Sequence, residues 1–450
     1  MPCWIGWPAT RVIIGGVLIH LTLGTLYTFG NMNPYITSYL RYKFRASDTD
    51  YSDTAWVYSA ATMGMGSTIV LAGAIYDRFG PRKTVSFGCL LMSGGIALTY
   101  VTIQHSLALV DLTYGLMFGL GIGISYVVPM SCAMKWIPDR KGLACGLTVA
   151  GFGGGAFIFD YVQTWFINPD NDPLPKHVDD KYYFTQEKIL SRVPPVFCVL
   201  AGCYAALQVI GILLLRDPPE MRLVDEEDDE EGEESSLTDG GLPTSFTSHG
   251  RDEQEQYVSW KQSWKTKDFW LLWFSLFFNS QGLVFFSTFW KAYGQTFIHD
   301  DQFLAVVGSF ASLFNAGGRI LWGYLGDKFS FKVAMLCLCA VFTVLMATYK
   351  LTELVGKSLF FIYVCLTFGT FSGNYSLFPV ATAQTFGQRY FVQNYGLLFT
   401  SQVIMSVITA FTAPYIQNVI VWYGFFLLST GCSFFSFILV LALKQERPFI

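Results

Sequence analysis

Apolar residues run along the chain in blocks of about twenty, separated by short polar stretches. A helix needs about 20 apolar residues to cross roughly 30 Å of hydrocarbon. Twelve blocks meet that length: 11–33, 55–76, 84–103, 108–131, 142–166, 193–215, 269–290, 303–325, 332–349, 358–380, 395–415 and 418–443. They fall into two groups of six. The pattern predicts an all-α membrane protein with an N-terminal six-helix bundle over 1–216 and a C-terminal one over 268–450. Between them, 217–267 carries an acidic run, Asp225 to Glu234, interrupted only by Gly232, and then Ser/Thr/Gly-rich sequence. Such a stretch buries too little apolar surface to order itself. It is expected to be a flexible linker, and phosphorylation of Ser235, Ser236 or Thr238 is one role open to it.

Composition agrees with a membrane protein. Of 450 residues 52% are hydrophobic, 17% aromatic and only 14% charged, against about 25% charged in a soluble domain. The net charge of −4 originates in the linker, so no basic footprint points to nucleic acid. All ten cysteines lie in apolar runs or at the N-terminus, without metal-ligand spacing. The opening residues lack a secretory leader and a transit-peptide character, so the first span is expected to stay in the mature protein. Lys and Arg number eighteen on the N-terminal side of the spans and ten on the other. The positive-inside rule therefore places both termini and the linker in the cytoplasm. The plasma membrane is the default expectation, with an organelle membrane as the alternative.

A motif occurs twice. Gly73-Ala-Ile-Tyr-Asp77-Arg78-Phe-Gly80-Pro-Arg82-Lys83 follows the second span, and Gly323-Tyr-Leu-Gly-Asp327-Lys328-Phe-Ser330 follows the eighth. Gly and Asp recur at an offset of 250 residues, so the second half repeats the first. The small residue permits close helix approach, and an Asp among cations at a helix end suits a conformational latch. The first copy resembles the signature loop G-x-x-x-D-R-x-G-x-R-K of the major facilitator superfamily at every fixed position. Trp136-Ile-Pro-Asp-Arg-Lys-Gly-Leu-Ala resembles the W-F-P-D-R-R-G-L-A loop of the oxalate/formate antiporter family. Asn394-Tyr395-Gly396-Leu-Leu-Phe-Thr400 resembles that family's N-Y-G-x-x-Y-T segment, and the related monocarboxylate transporters share the plan. The resemblance implies two pseudo-symmetric six-helix bundles and alternating-access transport of a small organic anion.

Arg319 lies inside the eighth span, eight residues or about 12 Å before Asp327. An arginine at that depth costs on the order of 3 kcal/mol or more. The repeat-equivalent position is Ile69, so the scaffold does not require a charge there. No Asp or Glu occurs within a second-half span, and Asp160 falls too near the outer end to be an easy partner. A substrate carboxylate is then the natural counter-ion for a planar, permanently charged guanidinium. The other reading is a structural arginine bonded to backbone carbonyls. Asn315, one helical turn earlier, is placed to orient it. Asn315-Ala-Gly-Gly-Arg319 resembles the D-x-x-x-R pair of the monocarboxylate transporters, with the acid replaced. Gln402 stands where the oxalate carriers' pattern has a lysine for the second carboxylate. One cation in place of two favours a monocarboxylate such as pyruvate, lactate or formate, because a second carboxylate would remain unpaired.

Further polar candidates line the expected path. His20 in the first span can titrate near neutrality and is a candidate proton site. Tyr27 and Asn31 lie one turn apart ahead of Pro34. Tyr126 precedes Pro129 in span four, as Tyr375 precedes Pro379 in span ten, and proline bends a membrane helix as a gate would. The partners expected are therefore a small organic anion, the lipid bilayer, and protons or a counter-anion. No H-E-x-x-H, G-x-S-x-G or phosphate-binding loop occurs, so neither an enzyme nor a cofactor is expected. Two other readings stay open at this level: a carrier of sugar, amino acid or drug, and a non-transporting membrane sensor.

Overall fold

The computed structural model describes residues 6–43, 49, 51–170, 172, 176–178, 181–218, 258–298, 300–419 and 422–443. Within these, twelve long helices form two groups of six. In chain order α1 is Trp7–Tyr42, and α2 (51–79) and α3 (81–102) divide the stretch Tyr51–Thr102. Next come α4, Leu107–Trp136, α5, Lys141–Ile167, and α6, Val193–Leu214. The second group is α7, Lys267–Gln295, α8, Asp301–Phe329, and α9, Phe331–Thr348. It continues with α10, Lys357–Phe371 resuming as Asn374–Phe386, α11, Phe391–Val419, and α12, Trp422–Leu441. A short hairpin, β1 (Lys176–Val178) with β2 (Lys181–Tyr183), sits in the loop before α6.

Eight helical stretches, the α2–α3 pair counted as one, are long and apolar enough to cross a membrane. The exceptions are α8, α10 and α11, which carry Arg319, Tyr375 and Gln402. α10 falls short by length, because its helix is interrupted between Phe371 and Asn374.

Local chemistry explains where helices bend. In α1 the hydroxyls of Thr22, Thr25 and Thr28 donate to the carbonyls of Ile19, Thr22 and Thr25 at 2.7, 2.6 and 2.8 Å. Carbonyls engaged in this way relax the regular ladder, and the helix tightens to 3-10 geometry over Gly24–Thr28. It then continues through Pro34 to Tyr42, well beyond the apolar block that ends at residue 33. Gly80 has φ 73° and ψ 175°, a conformation open almost only to glycine, and it turns α2 into α3. At the repeat-equivalent position Ser330 also has positive φ, at 114°. It keeps the turn at a steric cost and partly offsets it by accepting from the Val333 amide at 3.4 Å.

The two bundles meet mainly where α5 packs on α8 and α2 on α11. Gly142 of α5 and Gly323 of α8 make the first seam possible, since a methyl group built on either would strike the other's carbonyl. The expected linker, 217–267, lies mostly outside the described residues, including its acidic run and Ser235, Ser236 and Thr238. Its far end folds back onto the second bundle: the Val258 amide donates to the Phe386 carbonyl at 2.9 Å, and Asn394 donates to the Val258 carbonyl at 2.9 Å.

Gly80→Ala is expected to cost about 1–3 kcal/mol through its positive φ and to lower the melting temperature of the detergent-solubilised protein. Ser330→Gly should raise it. An unchanged melting temperature for Gly80→Ala would contradict the strained-turn account.

Candidate functional site

Arg319 is the largest fully buried side chain of the described residues. Its Nε donates to Asn315 Oδ1 at 3.0 Å, which is the orienting role expected one helical turn away. Nη1 crosses to the other bundle and donates to the Val149 carbonyl of α5 at 3.2 Å. The guanidinium carbon lies 4.4 Å from the Tyr375 ring centre and 5.4 Å from that of Phe152. Desolvated cation–π contacts are worth about 2 kcal/mol, and hydrogen bonds from a charged donor about 1.5–3 kcal/mol. Together they rival the cost of holding the group away from water, yet none of them cancels its charge. Among the described residues no carboxylate forms an ion pair with it, and Nη2 has no hydrogen-bond partner. The arginine is thus partly structural, with one face left over.

Around that face stand aromatic side chains from both bundles. The Tyr126 ring packs edge-on to Phe152 at 5.3 Å and to His20 at 5.4 Å. Its hydroxyl lies beside the Arg319 guanidinium, near enough to interact with it, and is buried without a well-aligned hydrogen bond among the described residues. Tyr27 meets Phe152 edge-on at 5.4 Å and lies close enough to Tyr375 to interact electrostatically. Gln402 donates from Nε2 to the Tyr375 hydroxyl at 2.7 Å, and the same hydroxyl pairs with Tyr27. The structure therefore gathers Arg319, Asn315, Gln402, Tyr27, Tyr126, Tyr375 and His20 into one group.

Asn31 is not part of it. Its amide donates to Gln163 Oε1 and Thr164 Oγ1, each at 3.1 Å, and to the Asp160 carbonyl at 3.3 Å, which ties α1 to the far end of α5. Asp160 is likewise apart from Arg319. Phe152 and the Val149 carbonyl complete the group and carry no sequence signal, because only the packing of α5 on α8 brings them to the arginine.

The motif residues form two cross-bundle contacts. Asp327, at the end of α8, accepts from the backbone amides of Gly142 (2.7 Å) and Leu143 (2.6 Å) at the start of α5. A helix N-terminus concentrates partial positive charge and unpaired amides, so a carboxylate is favoured there. Asp77, at the end of α2, accepts from the Gln393 side chain at the start of α11. Leu143 and Gln393 are themselves 250 residues apart, so the repeat could have pointed to Gln393. Gly73 gives Gln393 room, since a methyl group built there would be 2.5 Å from its Cγ. Arg82 stays within its bundle and donates to the Leu215 (2.7 Å) and Leu213 (2.9 Å) carbonyls at the end of α6. Arg78, Lys83 and Lys328 are exposed; Arg78 lies over Phe79 and Lys328 over Phe329.

Two repeated helical bundles, joined by paired carboxylate contacts around a buried arginine, have the plan of a membrane transport protein. The family model of the Major Facilitator Superfamily matches residues 14–410, and the chain belongs to that superfamily. It is 30% identical to Apicoplast pyruvate carrier 1 of Toxoplasma gondii, over 98% of this chain and 90% of that protein. It is 26% identical to the Oxalate:formate antiporter of Oxalobacter formigenes, over 82% and 76%. In fold it is similar to the superfamily transporter FucP in the outward conformation, at a TM-score of 0.64 and 13% identity over 97% and 99% of the two chains. The protein is an integral membrane transporter and not an enzyme.

Asp327→Ala should free the start of α5 from α8 on the side where the latches lie. Cys145, fully buried one turn along α5, then reports the change. In a variant retaining only that cysteine, thiol labelling should speed up by about a hundredfold, matching the loss of two charged hydrogen bonds. Unchanged labelling would show that the contact holds nothing closed.

Proposed function

We propose that this transporter carries a small monocarboxylate, with pyruvate first among those to test, by alternating access between the two bundles. One observation carries the reading: among the described residues, a fully buried arginine keeps Nη2 without a hydrogen-bond partner and forms no ion pair with an acid. A carboxylate docked there completes the guanidinium's hydrogen bonds and cancels its charge in low dielectric, where a pair of opposite charges gains most. The Tyr126 hydroxyl is a second donor beside the first. The names of the relatives, a pyruvate carrier and an oxalate:formate antiporter, support a carboxylate over a sugar. The likeness to FucP at 13% identity bears on the fold alone.

Charge counting favours a monoanion. Gln402 reaches the cluster but brings no charge, so a second carboxylate directed to Gln402 would meet no cation there. Selectivity by sign follows from the field of Arg319 in a site lined with aromatic rings. The site and the latch both draw residues from α5 and α8, so rocking of the bundles would open both together. The Lys/Arg distribution supports a cytoplasmic side for the latches, the linker and both termini.

In proteoliposomes, Arg319→Gln should cut pyruvate uptake by more than about a hundredfold, since removing one partner of a buried ion pair costs about 3–5 kcal/mol, and Arg319→Lys should cut it by about tenfold, since lysine keeps the charge but lacks the bidentate fork. Full uptake by Arg319→Lys, or uptake of a sugar but no carboxylate by the wild type, would overturn the assignment. Gln402→Lys is expected to shift preference towards a dicarboxylate such as oxalate, read from competition against labelled pyruvate. A competition profile identical to wild type would remove Gln402 from the specificity argument.

A further inference from the structure

His20 is fully buried on α1, and its two ring nitrogens have different fates. Nδ1 lies 2.9 Å from the Gly16 carbonyl. A carbonyl only accepts, so Nδ1 carries the hydrogen and Nε2 of the neutral ring holds a lone pair. Nε2 has no hydrogen-bond partner among the described residues. The ring meets Tyr126 at 5.4 Å and Phe152 at 6.4 Å between centres; Phe152 is also the ring beneath Arg319. The ring also lies near the Tyr126 backbone carbonyl, so a proton gained on the imidazole meets an acceptor at the edge of the cationic site.

The groups facing it are few. From α4 the titratable group is Tyr126, and from α8 it is Arg319, whose charge reaches the imidazole. α5 presents Phe152 and Gly151, the latter so close that a methyl group there would lie 3.1 Å from His20 Cβ. From α6, Gln208 turns to Thr22 at 2.9 Å and Tyr204 packs on Phe159. Asp160 is eight residues beyond Phe152 on α5, about 12 Å along the helix. Arg319 is therefore the charge that His20 feels.

Resting on the carboxylate reading above, we infer that His20 is the proton-coupling residue: one carboxylate and one proton bind together, the proton on Nε2, and cross the membrane together. With the site empty, a proton on Nε2 would add a second positive charge beside Arg319 in low dielectric, and the ring stays neutral. A carboxylate on Arg319 cancels the first charge and lifts the repulsion. Anion and proton then favour each other's binding, and linkage makes the coupling reciprocal. The loaded site, with guanidinium, carboxylate and imidazolium, has the same net charge as the empty one. The bundles therefore rock with equal charge in both directions, and the proton taken from water on one side is returned to water on the other.

The test uses the full-length protein in liposomes with labelled pyruvate and an imposed pH gradient, alkaline inside. The wild type should accumulate pyruvate towards about tenfold per pH unit, the limit for one proton per anion. His20→Gln should lose that accumulation, its ratio falling to about one, while pyruvate–pyruvate exchange remains measurable, though slower. Calorimetry of the wild type in buffers of different ionisation enthalpy should show uptake of about one proton per pyruvate bound, independently of how well any variant folds. Equal gradient-driven accumulation by wild type and His20→Gln would overturn the proposal, as would zero proton uptake on binding. Coupling lost in Asp160→Asn but kept in His20→Gln would overturn it in favour of the far end of α5. A wild type that exchanges pyruvate without responding to the gradient removes only the coupling, whereas one that exchanges no carboxylate removes the parent reading as well.

Discussion

A guanidinium withdrawn from water has to be solvated by the protein around it, and in this transporter that requirement shapes the centre of the molecule. Arg319 is held by an amide oxygen one turn away, a backbone carbonyl from the opposite bundle and two aromatic faces. These groups stabilise the side chain without removing its charge. The repeat-equivalent Ile69 is equally buried and apolar, so the first bundle fulfils the same packing role with no charge at all. The asymmetry between two otherwise matching helices marks where function departs from scaffold.

The same two helices carry the site and one latch. α8 bears Arg319 and, two turns on, Asp327; α5 bears Val149 and Phe152 and, two turns earlier, the Gly142 and Leu143 amides that Asp327 occupies. Motion of α5 against α8 must disturb the arginine's cross-bundle hydrogen bond and the carboxylate cap together. Glycine on both sides of the seam lets the backbones touch, so the contact has little slack. The second cross-bundle contact, Asp77 with the Gln393 side chain, repeats the arrangement between α2 and α11.

Much of this was legible in the sequence because hydrocarbon imposes a length and the motif a period. The twelve spans and the 250-residue repeat follow from those two constraints, as does the intramembrane arginine. Helix ends were less legible. α1 overruns its apolar block because Thr22, Thr25 and Thr28 satisfy polar groups locally, and Pro34 does not end the helix. The gathering of Tyr27, Tyr126, Tyr375 and Gln402 about Arg319 follows residue types that stand out among apolar neighbours. Asn31 stands out equally and goes elsewhere, since which face of α1 meets α5 is set by tertiary packing. Phe152, one phenylalanine among 41, had nothing to distinguish it until the bundles were placed.

The central claim is that Arg319 takes its counter-ion from the cargo. Dipolar-recoupling solid-state NMR on the reconstituted protein, with guanidino-15N arginine and pyruvate labelled with 13C at the carboxylate, measures that contact itself. The account predicts a 15N–13C distance within about 4 Å, as a direct guanidinium–carboxylate pair requires, and its disappearance in Arg319→Lys. Bound pyruvate with no such coupling, or the same coupling after Arg319 is replaced, would contradict it.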